Sequence, residues 1–374
     1  MNLKKKLAVV STHPIQYQVP LFKKLKKEGL DIDVFYASNH GFKSKFKDKE
    51  FNKKFNWNID LLKGYKSYFS KNQNQAIDSW RLSFDSLEIF FKKKKYDALL
   101  FFGWSNILFL KAFYIAKKFQ IPTILRVETN FHSKIRIIKK IIKYFILKIF
   151  FKYIDYFLYI GKLNREFYIK LGVKNSKLFN APYFVDNNFF KKNSKKKIKK
   201  NVKNCLFVGK LIKRKNPLLF LKVANYFKND KSLHFTLVGD GELLKSCKEY
   251  IKYKKLKNVS ILGFKNQKEL VDIYKNSDLL LVTSEYETWG LVINEAMASG
   301  IPVIASNNCG ASFDLISKKT GFIYKNEKDL IKKILKISKS RKLENSMKKN
   351  VIKKVKDYSI NKTVLSIKKI LYKL

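Results

Sequence analysis

Short apolar runs alternate with longer segments of helical periodicity along this chain, and this alternation constrains the fold more than any other feature. Strands and helices in alternation build parallel sheets with helices on both faces. The first series of predicted strands comprises Leu7–Ser11, Ile32–Ala37, Ala98–Phe102, Thr123–Val127 and Phe157–Ile160. The second series comprises Cys205–Gly209, Phe235–Gly239, Val259–Gly263, Leu279–Thr283 and Ile301–Ala305. The sequence therefore predicts an α/β protein with two parallel sheets.

A lysine-rich stretch separates the two series. Within Lys191–Lys203, eight of thirteen residues are lysines, which is typical of an exposed linker. A chain of 374 residues is long enough for two domains, each with its own core. We therefore predict one Rossmann-like domain over residues 1–185, a second over residues 186–359, and a ligand-binding cleft between them.

The formal net charge of +51 limits the classes of partner. Only six of the 80 basic residues are arginines, although proteins that read nucleic acid rely on the forked donors of arginine. This shortage argues against a dedicated nucleic-acid protein, and the positive field instead favours phosphates and anionic membranes. The three cysteines, Cys205, Cys247 and Cys309, have no paired spacing, so neither a disulfide framework nor a zinc site is predicted.

The segment Leu280–Ser306 carries the strongest functional signal. It reads as strand, tight turn, helix and strand, with Glu287 and Glu295 separated by seven residues and Trp289-Gly290-Leu291 between them. The absence of a Cβ at Gly290 lets the backbone approach a ligand closely. The free N–H groups at the start of the following helix suit a phosphate, and Glu295 on that helix suits sugar hydroxyls. The segment therefore predicts a nucleotide-sugar pocket.

This segment resembles the donor site of retaining glycosyltransferases of family 4, which have the GT-B fold. The family pattern is a glutamate, seven residues and a second glutamate, with aromatic-Gly-Leu inside and Glu-Ala-Met-Ala-x-Gly-x-Pro-Val at its end. Residues 287–303 supply every element of that pattern. The resemblance implies an N-terminal acceptor domain and a C-terminal donor domain. It also implies that a final helix, about residues 360–374, crosses back to the first domain.

The resemblance assigns further donor contacts to loops that follow strands of the second series. Lys210 and Lys215, after the strand that ends at Gly209, stand where the family holds the donor diphosphate with an Arg and a Lys. Lys210 keeps the charge of that Arg but loses its planar fork. In so lysine-rich a chain, a plain surface charge is the alternative for either residue. Gly239 and Gly241 correspond to the family's Gly-x-Gly turn beside the donor phosphates, and Phe264 lies in the segment whose backbone holds the nucleobase in the family. The residues alone indicate only a turn and a strand end.

Two polar residues follow strands of the first series at the predicted ligand edge. His13 follows the first strand. It is either a functional residue or a structural histidine that forms a hydrogen bond within its own loop. Glu128 takes roughly the place at which the family often has a histidine near the anomeric carbon. A buried carboxylate at a strand end rarely lacks a role, and the alternative is a salt bridge to a lysine. Residues 179–186 resemble the family's interdomain hinge.

The segment Lys134–Lys152 predicts a basic amphipathic helix. One face holds Arg136, Lys139, Lys140 and Lys143, and Ile137, Ile138, Ile141, Tyr144 and Phe145 lie across from it. Such a helix either lies in a membrane interface or packs on the sheet as a surface helix. No stretch of 18 uncharged apolar residues is present, so no transmembrane helix is predicted. We expect a cytoplasmic protein, peripheral on the inner face of the cytoplasmic membrane if the first alternative holds.

The sequence thus predicts a retaining glycosyltransferase that moves a sugar from a nucleoside-diphosphate sugar to a hydroxyl acceptor. The expected acceptor is a glycan or lipid-linked precursor of a cell-surface polysaccharide or lipopolysaccharide. Glu287, Glu128 and His13 are the predicted catalytic residues. No cofactor and no metal is expected, because GT-B enzymes use helix ends and basic side chains where others use a cation. Two other functions stay open: a nucleotide-sugar epimerase of GT-B fold, and a non-catalytic subunit that binds carbohydrate or membrane.

Overall fold

The computed structural model describes residues 5–41, 46–48, 53–55, 60–131, 137–191 and 202–374. Most of the predicted lysine-rich linker (residues 192–201) and Arg136 of the predicted basic helix lie outside these ranges. The described residues form two parallel β-sheets and one short antiparallel hairpin, with helices on both faces of each sheet. The predicted α/β class with two Rossmann-like domains is confirmed.

The N-terminal domain is built on a seven-stranded parallel sheet in the order β5-β2-β1-β6-β7-β8-β9. In chain order its strands and the hairpin β3–β4 are β1 (Lys6–Ser11), β2 (Asp31–Tyr36), β3 (Phe46–Asp48), β4 (Lys53–Phe55), β5 (Lys66–Phe69), β6 (Ala98–Phe101), β7 (Thr123–Leu125), β8 (Tyr156–Tyr159) and β9 (Leu178–Asn180). Successive residues of a strand point to opposite faces. Ala8 and Val10 therefore join the core on one face of the sheet, whereas Leu7 and Val9 join the core on the other.

The second domain is built on a six-stranded parallel sheet in the order β12-β11-β10-β13-β14-β15. Its strands are β10 (Lys203–Val208), β11 (Leu233–Val238), β12 (Val259–Gly263), β13 (Leu279–Val282), β14 (Val303–Ser306) and β15 (Gly321–Tyr324). As in the first sheet, both faces are buried: Leu206 packs into one core, and Cys205 and Phe207 pack into the other.

Fourteen α-helices occur in the described ranges. Before the second sheet the chain forms α1 (Val19–Lys27), α2 (Leu87–Lys93), α3 (Ile107–Lys118), α4 (Ile137–Lys152), α5 (Lys162–Lys170) and α6 (Asn187–Lys191). The later helices are α7 (Pro217–Tyr226), α8 (Leu244–Tyr253), α9 (Gln267–Lys275), α10 (Leu291–Ala298), α11 (Ser312–Leu315), α12 (Glu327–Ser338), α13 (Arg341–Val355) and α14 (Ile360–Leu371).

The last helix, α14, packs on the N-terminal domain although it follows the second sheet in the chain. Its apolar face, which includes Val364 and Ile367, lies in the same core as α1. Its polar side chains bond the segment between the sheets: Thr363 Oγ1 donates to Pro182 O (2.9 Å), and Ser366 Oγ donates to Asn180 O.

All ten predicted strands exist, with ends that shift by at most two residues, and three further sheet strands were not predicted. The missed strands, β5, β9 and β15, all lie at sheet edges, where one side is unpaired and burial is incomplete. The predicted strand Thr123–Val127 ends two residues early, at Leu125. Residues 179 and 180 of the predicted hinge belong to β9.

Loops at the carboxyl ends of the two sheets face each other, as expected for a ligand cleft. The Asn130 side-chain amide, after β7, donates to Thr288 O, after β13, at 3.4 Å. Tyr286 OH donates to Asn130 Oδ1 at the same distance. Thr288 Oγ1 donates to Glu128 Oε2, also at 3.4 Å. The cleft therefore brings Glu128 of the first domain to the loop that carries Glu287 of the second.

Candidate functional site

Glu287 lies in the loop after β13, and the loop after β14 fixes its backbone. Its N–H donates to Asn308 O (3.1 Å), and its carbonyl accepts from the Gly310 N–H (2.9 Å). The residue is 9% exposed. Its carboxylate accepts hydrogen bonds from Lys215 Nζ and from Arg214 Nη1, the latter at 3.4 Å from each oxygen. Two cations therefore meet one carboxylate at the cleft.

The two cations come from a short 3-10 turn, Lys213–Lys215, before α7. Asn216 ends this turn in the left-handed conformation (φ 51°) and caps α7 by accepting from the Leu219 N–H (3.2 Å). The turn is tied to the loop after β13, because Thr283 Oγ1 donates to Lys215 O (3.1 Å). Lys215 was predicted from the family resemblance, whereas Arg214 was not predicted; its only sequence signal was its place beside Lys215.

The loops after β10, β11 and β12 pack backbone to backbone. The Gly239 N–H donates to Gly263 O (2.9 Å). A Cβ on Gly239 would lie 1.8 Å from Gly209 O, and one on Gly241 would lie 2.7 Å from Leu211 O. Gly239 and Gly241 also have φ of 144° and 151°, which L side chains rarely adopt. The predicted Gly-x-Gly turn is therefore required by the packing of the loops themselves. The predicted donor residues Lys210 and Phe264 lie on the same three loops.

Gly290 caps α10 with φ of 100°, so the turn and helix predicted at this position are present. Glu295, on α10, accepts a hydrogen bond from Tyr274 OH of α9 at 2.7 Å. Burial raises the pKa of Glu295 to about 7, and the Tyr274 hydrogen bond opposes this rise. This carboxylate was predicted to meet sugar hydroxyls, and the tyrosine, which lies 21 residues earlier in the chain, was not predicted.

Trp289 is enclosed by residues of both domains. Its indole Nε1 donates to Asn294 Oδ1 (2.9 Å), and its ring lies 5.9 Å from that of Tyr183 and 6.0 Å from that of Tyr358. A Cβ on Gly161 would lie 2.4 Å from the indole. The side chain that was predicted to contact the donor therefore packs between the domains, while its neighbour Leu291 begins α10.

On the opposite side of the cleft, Glu128 accepts hydrogen bonds from Tyr17 OH (3.3 Å) and Thr288 Oγ1 (3.4 Å). Burial raises the pKa of Glu128, the positive charge of Arg126 opposes that rise, and the charge of Glu287 adds to it. The partners are thus two hydroxyls and a nearby guanidinium, and the lysine salt bridge considered from the sequence is not among the described contacts. The carboxylates of the two domains influence each other across the cleft.

His13 is paired with another histidine. Its Nδ1 lies 2.9 Å from Thr12 Oγ1, and its ring is perpendicular to that of His40 at 5.4 Å. Burial and the neighbouring His40 lower the pKa of His13 to about 3, so the imidazole is neutral near pH 7. His13 does not line the cavity that contains Glu128. The neighbouring Thr12 does line that cavity, and a catalytic role for His13 stays a prediction.

A cavity of about 360 Å³ lies on the N-terminal side of the cleft. Its walls include Tyr17, Trp104, Arg126, Glu128, Lys143 and Thr288. Of these six, only Glu128 was a predicted site residue. Trp104 follows β6, Arg126 follows β7, and Lys143 was assigned to the basic face of an amphipathic helix. The sequence signal that was available for the first two is their position just beyond strand ends.

Helix α4 covers the N-terminal sheet, as one of the two alternatives expected. Leu147 and Phe151 are buried in the core beneath it, and Tyr144 packs against that core. Six apolar residues on its outer face are nevertheless 51–71% exposed: Ile138, Ile141, Ile142, Phe145, Ile146 and Ile149. Lys143 faces the cavity and not this surface, because it lies on the inward side of the helix.

The described ranges contain neither a cluster of metal-binding side chains nor a helix that could cross a membrane. No three His, Cys, Asp or Glu side chains in these ranges come together as a metal site would require. None of the described helices combines the length and the apolar character needed to span a bilayer.

The C-terminal domain matches a known protein family. Residues 188–354 match the family described as "Glycosyl transferases group 1". The chain is 33% identical over 179 residues to UDP-Gal:alpha-D-GlcNAc-diphosphoundecaprenol alpha-1,3-galactosyltransferase of Escherichia coli, a match that covers 46% of each chain. It is 24% identical over 331 residues to alpha-monoglucosyldiacylglycerol synthase of Streptococcus pneumoniae, covering 83% of this chain and 71% of that protein. The chain spans about half the length of the E. coli relative and of an uncharacterised Methanocaldococcus jannaschii glycosyltransferase, 46% in each case.

The whole chain is similar in fold to solved glycosyltransferase structures. The Anabaena protein HepE, solved in complex with UDP and glucose, superposes with a TM-score of 0.74 at 15% identity, covering 99% of this chain and all of that one. A glycosyltransferase from Rickettsia africae superposes with a TM-score of 0.75, also at 15% identity, covering 99% of this chain and 98% of that one. The predicted GT-B fold is confirmed, and the predicted enzyme class agrees with all of these findings. Residues 188–354 therefore match the group 1 glycosyltransferase family, and the chain as a whole has the GT-B fold.

Proposed function

We propose that this protein transfers a sugar from a nucleoside-diphosphate sugar to a hydroxyl acceptor, with retention of the anomeric configuration. The observation that carries this proposal is the arrangement at Glu287. Its carboxylate accepts hydrogen bonds from Lys215 and Arg214, and the residue lies four positions before the start of α10. Its charge also adds to the rise in the pKa of Glu128. Cations and a helix N-terminus suit a diphosphate, whereas a carboxylate suits a sugar that gains positive charge.

Each part of this arrangement has a task in the transfer. The bond from the anomeric carbon to the diphosphate oxygen breaks, a bond to the acceptor oxygen forms, and the acceptor proton leaves with the diphosphate. Lys215, Arg214 and the N–H groups of α10 would stabilise the negative charge on the departing diphosphate. Glu287 would stabilise the positive charge on the sugar ring. On this proposal the transfer needs no metal ion, because the cations and the helix N-terminus take its role.

The proposed donor pocket lies on the second domain. The loops after β10, β11 and β12 meet through Gly209, Gly239 and Gly241, which leaves backbone atoms free of side chains beside the cations. Glu295 lies four residues after the first residue of α10, and we propose that it binds ribose hydroxyls once it exchanges its bond to Tyr274. The Anabaena protein of the same fold was solved with UDP and glucose, so we propose a uridine nucleotide as the first donor to test.

The proposed acceptor is a precursor of a cell-surface polysaccharide or lipopolysaccharide, and the proposed location is the inner face of the cytoplasmic membrane. Support comes from the name of the E. coli relative, which specifies an acceptor linked to diphosphoundecaprenol, and from that of the S. pneumoniae relative, a glucosyldiacylglycerol synthase. The exposed apolar face of α4 adds an observation of this chain's own. Such a face, next to basic residues, suits the interface of an anionic bilayer.

The test is donor binding followed by transfer. Thermal shift with a panel of UDP-, GDP- and ADP-sugars should reveal one family of nucleotides that stabilises the protein, since ligands that bind only the folded state raise its stability. Release of the nucleoside diphosphate should then increase when an acceptor is added, and NMR of the product should show the anomeric configuration of the donor. Stabilisation by no nucleotide sugar would refute the proposal, and an inverted product would refute retention.

A further inference from the structure

The cavity on the acceptor side of the cleft holds two positively charged side chains and one carboxylate. Arg126 and Lys143 both line it, and Glu128 is the carboxylate. Burial raises the pKa of Glu128, which reduces its tendency to carry a negative charge. The cavity is therefore suited to an anionic group on whatever enters it.

Lys143 is the cation that is open to a ligand. Its Nζ lies 5.2 Å from the centre of the Trp104 ring. Within the described part of the chain it forms no ion pair, and burial alone lowers its pKa. A partly buried ammonium without an anion loses hydration and gains little in return. An anion bound in the cavity would compensate for that loss.

Arg126 adds a second, more deeply buried positive charge beside the cavity. It is 4% exposed, its Nη2 donates to Ala181 O (3.2 Å), and its guanidinium lies 4.9 Å from the Tyr183 ring. Its Nε is buried and has no hydrogen-bond partner among the described residues. The protein thus keeps a buried cation with one unpaired donor beside the cavity, and such a group costs free energy.

The helix that supplies Lys143 also supplies the exposed apolar face of α4. Ile142 and Ile146, neighbours of Lys143 along the helix, are 54% and 55% exposed. The sequence of α4 contains five lysines and no acidic residue. A second copy of this strongly cationic chain would meet the face with like charge, whereas a bilayer that contains anionic lipid would meet it with opposite charge.

We propose that the cavity binds the phosphate of a membrane-anchored acceptor, that Lys143 is the phosphate-binding residue, and that the lipid of this acceptor lies along the outer face of α4. Helix α4 can contact both the phosphate and the lipid. Lys143 on its inward side lines the cavity, and its outward side is apolar and exposed. This inference rests on the proposed function, since it names the class of acceptor, a lipid linked to a sugar through phosphate. It assigns Lys143 and Trp104 to acceptor recognition.

The test uses farnesyl phosphate, a short lipid phosphate, as the probe in calorimetry on the whole protein. We expect wild-type protein to bind it at least about tenfold more tightly than inorganic phosphate or farnesol. Lys143→Met, which keeps the stem and removes the charge, should lower the affinity at least about tenfold. Lys143→Arg should keep most of it. Lys148→Met, at an exposed position of the same helix, is the matched control and should bind like the wild type.

The outcomes separate this inference from the proposed function. Equal binding of farnesyl phosphate by wild type and Lys143→Met would overturn the inference, and so would inorganic phosphate that binds as tightly as farnesyl phosphate. UDP binding, measured on the same proteins, should be unchanged by Lys143→Met and serves as the check on folding. Lipid-phosphate binding that depends on Lys143 supports the inference even if no nucleotide sugar binds, a result that would count against the proposed function alone.

Discussion

The ammonium of Lys215 donates a hydrogen bond to the carboxylate of Glu287, so the residue predicted to bind the donor diphosphate and the residue predicted to act on the sugar are partners of each other. Arg214 contacts the same carboxylate. An anion that enters this region must share these cations with Glu287. The two cations also hold the carboxylate of Glu287 in its place before α10. Glu287 is only 9% exposed, and without these cations its negative charge would be buried and unpaired, which would destabilise the fold.

Replacing Lys215 should weaken donor binding. Lys215→Ala removes a charge-assisted contact to the diphosphate, worth roughly 1.5–3 kcal/mol, and leaves Arg214 as the remaining cation. The measurement is calorimetry with the nucleoside diphosphate. Lys213→Ala is the matched control, because Lys213 belongs to the same turn and is exposed. If both variants bind with wild-type affinity, Lys215 serves Glu287 alone and does not contact the phosphate.

Two glycines of the predicted donor site should respond differently to alanine. At Gly239 a Cβ would meet Gly209 O at 1.8 Å with φ of 144°, so Gly239→Ala should destabilise the protein by about 3 kcal/mol or more. At Gly209 a Cβ would find its nearest neighbour at 3.7 Å, on the ring of Phe207. Gly209→Ala should therefore change the stability by less than about 1 kcal/mol.

Chemical denaturation of both variants tests this difference. Nucleotide binding by Gly209→Ala gives further information, because a loss of affinity in a fully stable variant would point to close approach of the ligand at that position. Similar stability of the two variants would show that the loops after β10 and β11 can separate at little cost. The close backbone approach would then not explain the Gly-x-Gly turn.

The fold was predictable because the buried strands of both sheets are short apolar runs between helical segments. Three of the four edge strands were not predicted, since β5, β9 and β15 are only partly buried and their apolar pattern is weak. The fourth edge strand, β12, was predicted with the bounds it has. The turn at Gly290 and the helix after it were visible in the sequence, since both depend on local residue chemistry. These are the features that neighbouring residues determine.

The candidate site was less predictable, because its key contacts join residues that are far apart in the chain. The bond from Tyr274 to Glu295 and the bonds from Tyr17 and Thr288 to Glu128 depend on how whole elements pack. The burial of Lys143 could not be inferred either. Helical periodicity assigned it to a basic face, but it gives no information on whether that face meets solvent or a neighbouring loop.

The exposed face of α4 should bind the protein to anionic vesicles. Ile142, Ile146 and Ile149 are 54–60% exposed, and their simultaneous replacement by serine removes apolar surface that would enter the interface. We expect the triple variant to lose most of its flotation with vesicles of phosphatidylcholine and phosphatidylglycerol. The matched control replaces Tyr226 and Tyr253, which are 62% and 77% exposed on the second domain, by serine.

Salt distinguishes the apolar contribution from that of the general surface charge. Attraction between the basic surface and the vesicles weakens as salt increases, whereas burial of apolar side chains does not. Wild-type protein should therefore keep part of its binding at high salt, and the triple variant should keep none. If the triple variant floats as well as the wild type at every salt concentration, α4 is only a structural helix.

The ionisation of Glu295 should make the stability depend on pH. Burial raises its pKa from 4.5 to about 7. In the folded protein the carboxyl is therefore protonated at pH values where the unfolded chain has already ionised it, so its contribution to stability falls as the pH rises from about 4.5 to about 7. Glu295→Gln removes this cost and should gain about 1–3 kcal/mol relative to wild type at pH 8, with little gain at pH 4.5.

Thermal unfolding at several pH values provides the measurement. Glu249→Gln is the control, since Glu249 is an exposed carboxylate of α8 whose only described ion pair is a 4.0 Å contact with Lys245. The difference between Glu295→Gln and wild type should grow with pH, whereas that between Glu249→Gln and wild type should not. A gain that is the same at all pH values would mean that Glu295 titrates normally.

The two glutamates of the donor motif should differ in their kinetic effects. Glu295 would hold ribose hydroxyls in ground state and transition state alike, so Glu295→Gln should raise the donor KM more than it lowers kcat. Glu287 would stabilise charge that develops only as the sugar leaves, so Glu287→Gln should chiefly lower kcat. Glutamine keeps the size of the side chain and removes its charge. In Glu287→Gln it also frees Lys215 and Arg214 from the carboxylate, so the affinity for the free nucleoside diphosphate should rise while the rate falls.

Steady-state kinetics and calorimetry on both variants test these effects together. Wild-type kcat and KM in both would remove the donor-site assignment, and with it the main support for the proposed transfer reaction.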